Sequence, residues 1–337
     1  MKYRTVLLTG ITGSWGTAML RHLLRTTPVT IRGLSRSELL QAQLRESLTP
    51  EERVRVRLLL GDVRDYQRLL VAMRDVEVVW HAAALKRVDS GETDPIEFAR
   101  TNVDGTAQVI QACIAAGVKK AIFLSTDKSC SPINMYGATK MVAEKLWIRA
   151  NGYAPRSTNF IVTRYGNVVA SRGSVFDIWK RCLAAQQPLP VTDPRMTRFW
   201  ITLDEAVALA QFAAEHGPRG SILVPHLQAY TVPDLARAYG GEDVETVDVG
   251  IRPGEKLHET LIAPHEAARV TIYRGGNIAI PQYYAIAPEQ PSWHQSPSFG
   301  MTWHPWQMRD PYESGSWPYR MDTEALREQM QQLGVIG

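Results

Sequence analysis

The sequence predicts a doubly wound α/β protein, a parallel sheet with helices on both faces, followed by a smaller C-terminal lobe. Three observations carry that expectation. The first half alternates short β-branched runs with longer amphipathic stretches, a glycine-rich turn joins the first run to the first helix, and the rhythm changes after Tyr165.

In chain order, strands are expected near Tyr3 to Thr9, Val29 to Leu34, Val54 to Leu60, Val76 to Ala83, Lys120 to Ser125 and Asn159 to Tyr165. Between them, Thr17 to Arg25 sets Met19, Leu20, Leu23 and Leu24 on one helical face, while Asp94 to Ala116 and Tyr136 to Asn151 are long enough to cover a sheet. Gly166 to Trp200 is a long excursion, after which Leu203 to Glu215 and Ser221 to Val224 read as a helix and a strand returning to the sheet. The division implied is 1–165 with 203–224 for the sheet domain, and 166–202 with 225–337 for the second lobe. Pro281 to Arg320 holds seven of the 20 prolines and four of the nine tryptophans, which suits an irregular but packed segment. No internal repeat is present.

A chain of 337 residues, 45% hydrophobic and 21% charged, has ordinary globular composition. Its formal charge of +4 is spread among acids, so neither nucleic acid nor an anionic membrane is called for, although an anionic substrate would suit it. Cys113, Cys130 and Cys182 make no CxxC pair, which points to a reducing, cytoplasmic setting. No run approaches the roughly 18 apolar residues of a membrane helix, and the eight histidines show no metal-binding grouping, so no metal is expected.

Thr9-Gly10-Ile11-Thr12-Gly13-Ser14-Trp15-Gly16 follows the first strand and opens the first helix. There a backbone without side chains can approach a pyrophosphate while the helix N-terminus faces its charge, the Rossmann arrangement for a dinucleotide. The second strand ends in Ser35-Arg36, where an NAD-selecting chain has an Asp or Glu for the ribose 2′-hydroxyl. A guanidinium beside a small hydroxyl accepts a 2′-phosphate instead, so NADP is expected. Asp62, with Val63 beside it, is placed for the adenine, and Ala82, Ala83 and Ala84 leave room for the cofactor to pass.

Tyr136 and Lys140 lie four apart on one helical face, in Tyr-Gly-Ala-Thr-Lys. A neighbouring ammonium favours the phenolate, which turns a tyrosine into a base nearer neutrality. Just before it, Ser125-Thr126-Asp127-Lys128 sits at the carboxyl end of a strand, where a doubly wound sheet gathers its ligands.

These motifs resemble the inverting UDP-N-acetylglucosamine 4,6-dehydratases, extended short-chain dehydrogenase/reductases of bacterial glycan pathways. The likeness runs through most of the chain, in 9–16, Gly-Asp-Val-Arg-Asp (61–65), His-Ala-Ala-Ala-Leu-Lys (81–86), 125–128, 132–140, Arg-Tyr-Gly-Asn-Val-Val (164–169), Ser-Arg-Gly-Ser-Val (171–175), Met-Thr-Arg-Phe-Trp-Ile-Thr (196–202) and Ile-Arg-Pro-Gly-Glu-Lys-Leu-His-Glu (251–259). The resemblance implies that Tyr136, Lys140 and the Thr126 hydroxyl oxidise a UDP-sugar at carbon 4 with NADP as hydride acceptor. Lys128 would then take the carbon 5 proton, Asp127 would protonate the departing 6-hydroxyl, and hydride would return to carbon 6. Retaining relatives acting on dTDP-glucose carry Asp-Glu at the Asp127-Lys128 position, so Lys128 implies inversion at carbon 5. Lys86 of the sheet domain, with Asn167, Arg198, Arg252 and Glu255 of the second, substrate-binding lobe, would contact the nucleotide sugar. The two long helices imply a homo-oligomer. Arg87 to Glu92 departs from the His-Val-Pro run usual in such enzymes, and Cys130 replaces an alanine.

Two other readings stay open at this stage. A nucleotide-sugar 4-epimerase needs Tyr136 and the cofactor but no acid and base at carbons 6 and 5, which Asp127-Lys128 argues against. A catalytically dead cofactor sensor predicts a broken Tyr/Lys pair, whereas Tyr136 and Lys140 are intact.

Overall fold

The computed structural model describes residues 3–155, 157–169, 174–274, 282–289, 303–306, 308 and 311–336. Its strands, in chain order, are β1 (Thr5–Thr9), β2 (Thr30–Ser35), β3 (Val56–Leu60), β4 (Val78–His81), β5 (Lys120–Leu124), β6 (Asn159–Thr163), β7 (Leu189–Val191), β8 (Thr197–Trp200), β9 (Ile222–Pro225), β10 (Gln228–Thr231), β11 (Thr246–Asp248), β12 (Thr260–Ile262), β13 (Val270–Tyr273), β14 (Tyr283–Ile286), β15 (Trp303–Pro305) and β16 (Tyr312–Glu313).

Seven strands run parallel in the order β3-β2-β1-β4-β5-β6-β9. This is the doubly wound α/β sheet expected from the alternating apolar runs. Its central strands are covered on both faces: every residue of β4 and β9 is buried, which is why they read as continuous apolar runs without alternation. Helix Ser14–Thr26 buries Trp15, Met19, Leu20, Leu23 and Leu24 on one side. Helix Leu203–His216 covers the same region, with Ala206, Val207, Leu209, Ala210, Ala213 and Ala214 buried.

The stretch expected as one helix from Asp94 to Ala116 is instead three pieces: Pro95–Phe98, a π-helical Ala99–Asp104, and Gly105–Ala115. The wide turn gives Asn102 room to bond elsewhere. Its carboxamide accepts from Leu85 N at 2.8 Å and donates to Leu85 O at 2.9 Å and Thr139 Oγ1 at 3.1 Å, tying the end of β4 to the helix carrying Tyr136. Such π turns recur where a side chain is needed at a functional site.

Beyond Pro225 the chain does two things. Strands β14, β13 and β15 add to the main sheet antiparallel, through β14 on β9, making it ten-stranded. Their drive is aromatic: Phe212 packs on Tyr283 at 4.3 Å and Tyr273 at 4.7 Å between ring centroids. The Pro- and Trp-rich segment therefore contributes strands and core at Tyr283, Tyr284, Trp303 and Tyr312; its Trp293, Pro291 and Pro297 lie outside the described residues. The remainder forms the smaller lobe, with strand pairs β8–β10, β7–β11 and β12–β16. That lobe has its own core, in which Phe176, Trp179 and Trp200 meet Leu326 and Met330 of the C-terminal helix Thr323–Gln332. Stretch 225–337, expected as a lobe apart, thus divides between sheet and lobe.

Candidate active site

The glycine turn is built for a close approach by backbone alone. Gly10 has φ +72°, and a Cβ there would lie 2.9 Å from Ala83 N. A Cβ on Gly16 would lie 2.3 Å from Gly10 O, so helix and loop cannot pack with any larger residue. Helix Ser14–Thr26 starts at Gly13, which is exposed and supplies no side-chain cap. Its first N–H groups are thereby left to an outside acceptor, as a pyrophosphate would require. Thr12 and Ser14 lie on this turn. Trp15, expected among the cofactor-binding residues, turns inward, and its indole N–H donates to Ala206 O at 3.4 Å. It fixes the helix and offers a ligand its backbone only.

At the ends of β2 and β3, Ser35 Oγ accepts from Gln41 Nε2 at 3.0 Å, and that amide also donates to Ser35 O and Leu59 O. Ser35 is thus held from behind by Gln41. Arg36 reaches Asp62 Oδ2 at 3.7 Å with half its side chain exposed, and Arg64 grips the same carboxylate at 2.8 Å. Burial alone would raise the Asp62 carboxyl, but its bonds to Arg64 and the Arg36 charge hold it below the usual range. Val63 is buried and packs where a Cβ on Gly105 would come within 2.9 Å of it.

His81 ends β4 fully buried, and one hydrogen-bond chain runs through it. Ala83 N–H donates to Thr9 Oγ1 (3.2 Å), Thr9 Oγ1 lies 2.7 Å from His81 Nδ1, His81 Nε2 lies 3.1 Å from Thr106 Oγ1, and Thr106 donates to Asn102 O (2.6 Å). Since the Thr106 proton goes to Asn102 O, Nε2 must carry the ring proton and Nδ1 accept from Thr9. Burial, with Lys140 adding to it, drops this imidazole to about 3, so it is neutral and the alanines 82–84 leave β4 on a fixed path.

The side chains expected to be catalytic meet at the carboxyl ends of β5 and β6. Asn134 caps helix Met135–Ala150 by accepting from Gly137 N at 2.7 Å, and it donates to Gly254 O at 2.7 Å. A Cβ on Gly137 would sit 2.1 Å from Lys128 O, so this glycine lets the helix press against the Thr126–Lys128 turn. Thr126 Oγ1 donates to Asp127 Oδ1 at 2.9 Å. Lys128 Nζ donates to the same oxygen at 3.1 Å and to Asn167 Oδ1 at 2.8 Å, and it lies 3.2 Å from Glu259 Oε1. Burial pulls the Lys128 ammonium down, but the two carboxylates overcome it and its pKa is raised.

Tyr136 is pushed up to about 12 by burial, with Lys128 and Thr126 pulling the other way. The ammonium acting on it is therefore Lys128. Lys140, expected in that part, donates from Nζ to Leu124 O at 2.5 Å and lies 3.8 Å above the Phe123 ring. Burial lowers its amine to about 7 against the pull of Glu144.

Of the residues expected on the nucleotide sugar, Arg198 is buried and its guanidinium meets Thr197 O (2.7 Å), Leu257 O (3.2 Å) and the Met196 sulfur. It makes no ion pair among the described residues. Glu255 Oε2 is buried without a partner, and Arg252 is exposed on the same turn, its carbonyl accepting from Glu255 N at 3.0 Å. Asn167 is turned to Lys128. Lys86 is on the surface after β4, its amine lowered by partial burial. Of the stretch 171–175, residues 171–173 lie outside the described residues. Arg87 to Glu92 runs into a short helix, Val88–Thr93, with Arg87 paired to Asp89 at 2.7 Å. Cys130 is buried against Glu266 at 3.9 Å.

A family model described as polysaccharide biosynthesis protein matches residues 6–279. The chain belongs to that family. It is 43% identical over 290 residues to a protein of Campylobacter jejuni named UDP-N-acetylglucosamine 4,6-dehydratase (inverting), covering 85% of this chain and 83% of that one. It is 39% identical over 287 residues to a UDP-glucose 4-epimerase of Rickettsia typhi, covering 82% and 83%. Among solved structures, Pen from Bacillus thuringiensis superposes with a TM-score of 0.86 at 31% identity over the whole of both chains. DesIV, a dTDP-glucose 4,6-dehydratase from Streptomyces venezuelae bound to NAD and TYD, does so with a TM-score of 0.65 at 22% identity over 75% of this chain and 86% of that one, a likeness of fold.

Within this family frame the residues that sequence reasoning passed over are Gln41, Asn102, Asn134 and Glu259. Gln41, Asn102 and Glu259 act through partners distant in sequence, whereas Asn134 also caps its own helix through Gly137 three residues on. Asn134 and Glu259 stood inside the motifs 132–140 and 251–259 without a role assigned to them. Among the described residues no helix is long and apolar enough to cross a membrane, and no group of three or more His, Cys, Asp or Glu could hold a metal ion.

Proposed function

We propose that this chain is a UDP-N-acetylglucosamine 4,6-dehydratase, a hydro-lyase that inverts carbon 5, with NADP as its cofactor. The observation that carries the reading is the buried Asp127 paired with the half-buried Lys128 beside Tyr136. A 4-epimerase has no use for an acid and a base at carbons 6 and 5, and the 43% identity to the inverting dehydratase agrees with the pair. Bound NADP supplies hydride transfer. Its pyrophosphate suits the Gly10–Gly16 turn and the uncapped helix start, and its 2′-phosphate suits Arg36, with no carboxylate on Ser35 to oppose it.

The chain's own groups then divide the proton work. Tyr136, its phenolate favoured by Lys128 and Thr126, takes the 4-hydroxyl proton. With a ketone at carbon 4, Lys128, once its ammonium has passed a proton to Asp127 Oδ1 beside it, takes the carbon 5 proton. Asp127 gives a proton to the leaving 6-hydroxyl, and a new proton reaches carbon 5 from the other face. Arg198, whose charge meets only carbonyls and a sulfur, is the diphosphate ligand, with Arg252, Glu255 and Lys86 along the nucleotide. The sheet domain 1–165 with 203–224 holds the dinucleotide, and the sugar lies against 166–202 and the lobe beyond 225. Free Cys113, Cys130 and Cys182 suit a reducing cytoplasm, and helices Gly105–Ala115 and Met135–Ala150 suit a homo-oligomer contact.

The test is to incubate the protein with UDP-N-acetylglucosamine and identify the product by NMR. A 4-keto-6-deoxy sugar is expected; a product retaining its 6-hydroxyl and altered only at carbon 4 would move the chain to the epimerase reading.

A further inference from the structure

We infer that Glu259 is a positioning residue for Lys128, delivered from the second lobe to hold the lysine amine between two carboxylates over the carbon 5 proton. The inference rests on the dehydratase reading above. Its ground is the geometry around one atom. Lys128 Nζ lies 3.1 Å from Asp127 Oδ1, 2.8 Å from Asn167 Oδ1 and 3.2 Å from Glu259 Oε1. The Glu259 side chain is 2% exposed, and its second oxygen, Oε2, has no hydrogen-bond partner. A buried carboxylate with one oxygen unpartnered is costly, and here its one strong partner is the lysine.

Glu259 is also clamped by its backbone. Its N–H donates to Ser314 Oγ at 2.9 Å and its carbonyl accepts from Ser314 N at 2.8 Å, while Ser314 Oγ lies 2.7 Å from Thr197 Oγ1. Strand β12 begins at the next residue and pairs with β16. The segment Tyr312–Ser314, close to the C-terminus, thereby fixes a carboxylate against a lysine nearly 200 residues earlier in the chain.

The chemistry follows from charge. Lys128 first passes one proton to Asp127 Oδ1; its neutral amine then takes the carbon 5 proton, an N–H bond forms, and the C–H electron pair stays on carbon 5 next to the 4-ketone and expels the 6-hydroxyl, which leaves as water with that proton from Asp127. An ammonium is left in a buried place. Glu259 stabilises that ammonium and keeps Nζ from swinging to Asp127 alone. The other charged or titratable groups facing Lys128 are Asp127, which favours the ammonium, Arg198, which opposes it, and the hydroxyls of Tyr136 and Tyr230.

The test compares wild type, Glu259→Gln and Glu259→Asp by turnover of UDP-N-acetylglucosamine and by deuterium entry at carbon 5, each across pH, with thermal unfolding as a check on folding. Removing the Glu259 charge lowers the titration of the coupled Asp127–Lys128 pair as a whole. The limb on which the rate rises with pH should therefore move down by about 1 to 3 pH units in Glu259→Gln, and Glu259→Asp, which restores the charge, should move it back. If Glu259→Gln does not fold, the expected result is read from Glu259→Asp alone, as a lower rate of deuterium entry with the limb unmoved. A limb that stays in place in a folded Glu259→Gln, whether its rate is normal or low at every pH, overturns the inference and leaves Glu259 a structural residue. A wild type that forms no dehydrated product overturns the dehydratase reading itself, so the two failures are distinguishable.

Discussion

The proposed choice of NADP and the proposed first proton transfer each rest on a single residue. Arg36 stands where a carboxylate would select NAD, and it is half exposed, 3.7 Å from Asp62. Arg36→Ala should weaken NADP binding by about 1.5–3 kcal/mol, the range for a hydrogen bond to a charged group, and leave NAD binding unchanged; calorimetric titration with both cofactors measures the difference, and equal losses would remove Arg36 from the 2′-phosphate site. Tyr136 is the hydroxyl beside Lys128 and Thr126. Tyr136→Phe should lower turnover by roughly 100- to 10,000-fold, as general-base loss does, with cofactor affinity retained. At this scale the sequence was legible as to placement: Tyr136, Lys128 and Asp127 lie together, and the glycines of the first turn sit between strand and helix. It was less so for orientation. Trp15 turned into the core and Lys140 to Leu124 O and Phe123, because packing partners from other elements set where a side chain points.

Among elements, the chain of hydrogen bonds through His81 joins β1, β4 and the π-helical Ala99–Asp104 turn. A protonated imidazole would lose the bond that Nδ1 accepts from Thr9, and burial already sets its folded value at about 3 against 6.5 when free. Because the folded value is depressed, the unfolded chain binds the extra proton first as pH falls. The His81 contribution to stability is therefore full above about 6.5 and is lost between 6.5 and about 3, at a slope approaching 1.4 kcal/mol per pH unit. Denaturant unfolding at several pH values should show that slope, and His81→Gln should flatten it. The first six strands were legible to within about two residues and the first helix to within about three, since apolar periodicity reports burial directly. The π turn was not, because its cause is Asn102 bonding to Leu85 and Thr139, a long-range demand that periodicity does not carry.

For the whole molecule, three antiparallel strands extend the parallel sheet, and a second core grows beside it. The sequence showed that the rhythm changes after Tyr165. It did not show that β13, β14 and β15 return to the sheet, because their aromatic runs among prolines have no period distinguishing sheet from lobe. The C-terminal lobe reaches Lys128 through Glu259, whose backbone Ser314 holds. Association through helices Gly105–Ala115 and Met135–Ala150 should appear in sedimentation at micromolar concentration as a mass at least twice 37.7 kDa; a monomer would remove that contact. The central claim, elimination across carbons 5 and 6 with inversion, is tested most directly by running the reaction with UDP-N-acetylglucosamine in heavy water and reading carbon 5 of the product by NMR. The account predicts deuterium at carbon 5 and the L-arabino configuration; a product that retains the original configuration there, or forms without deuterium, would contradict it.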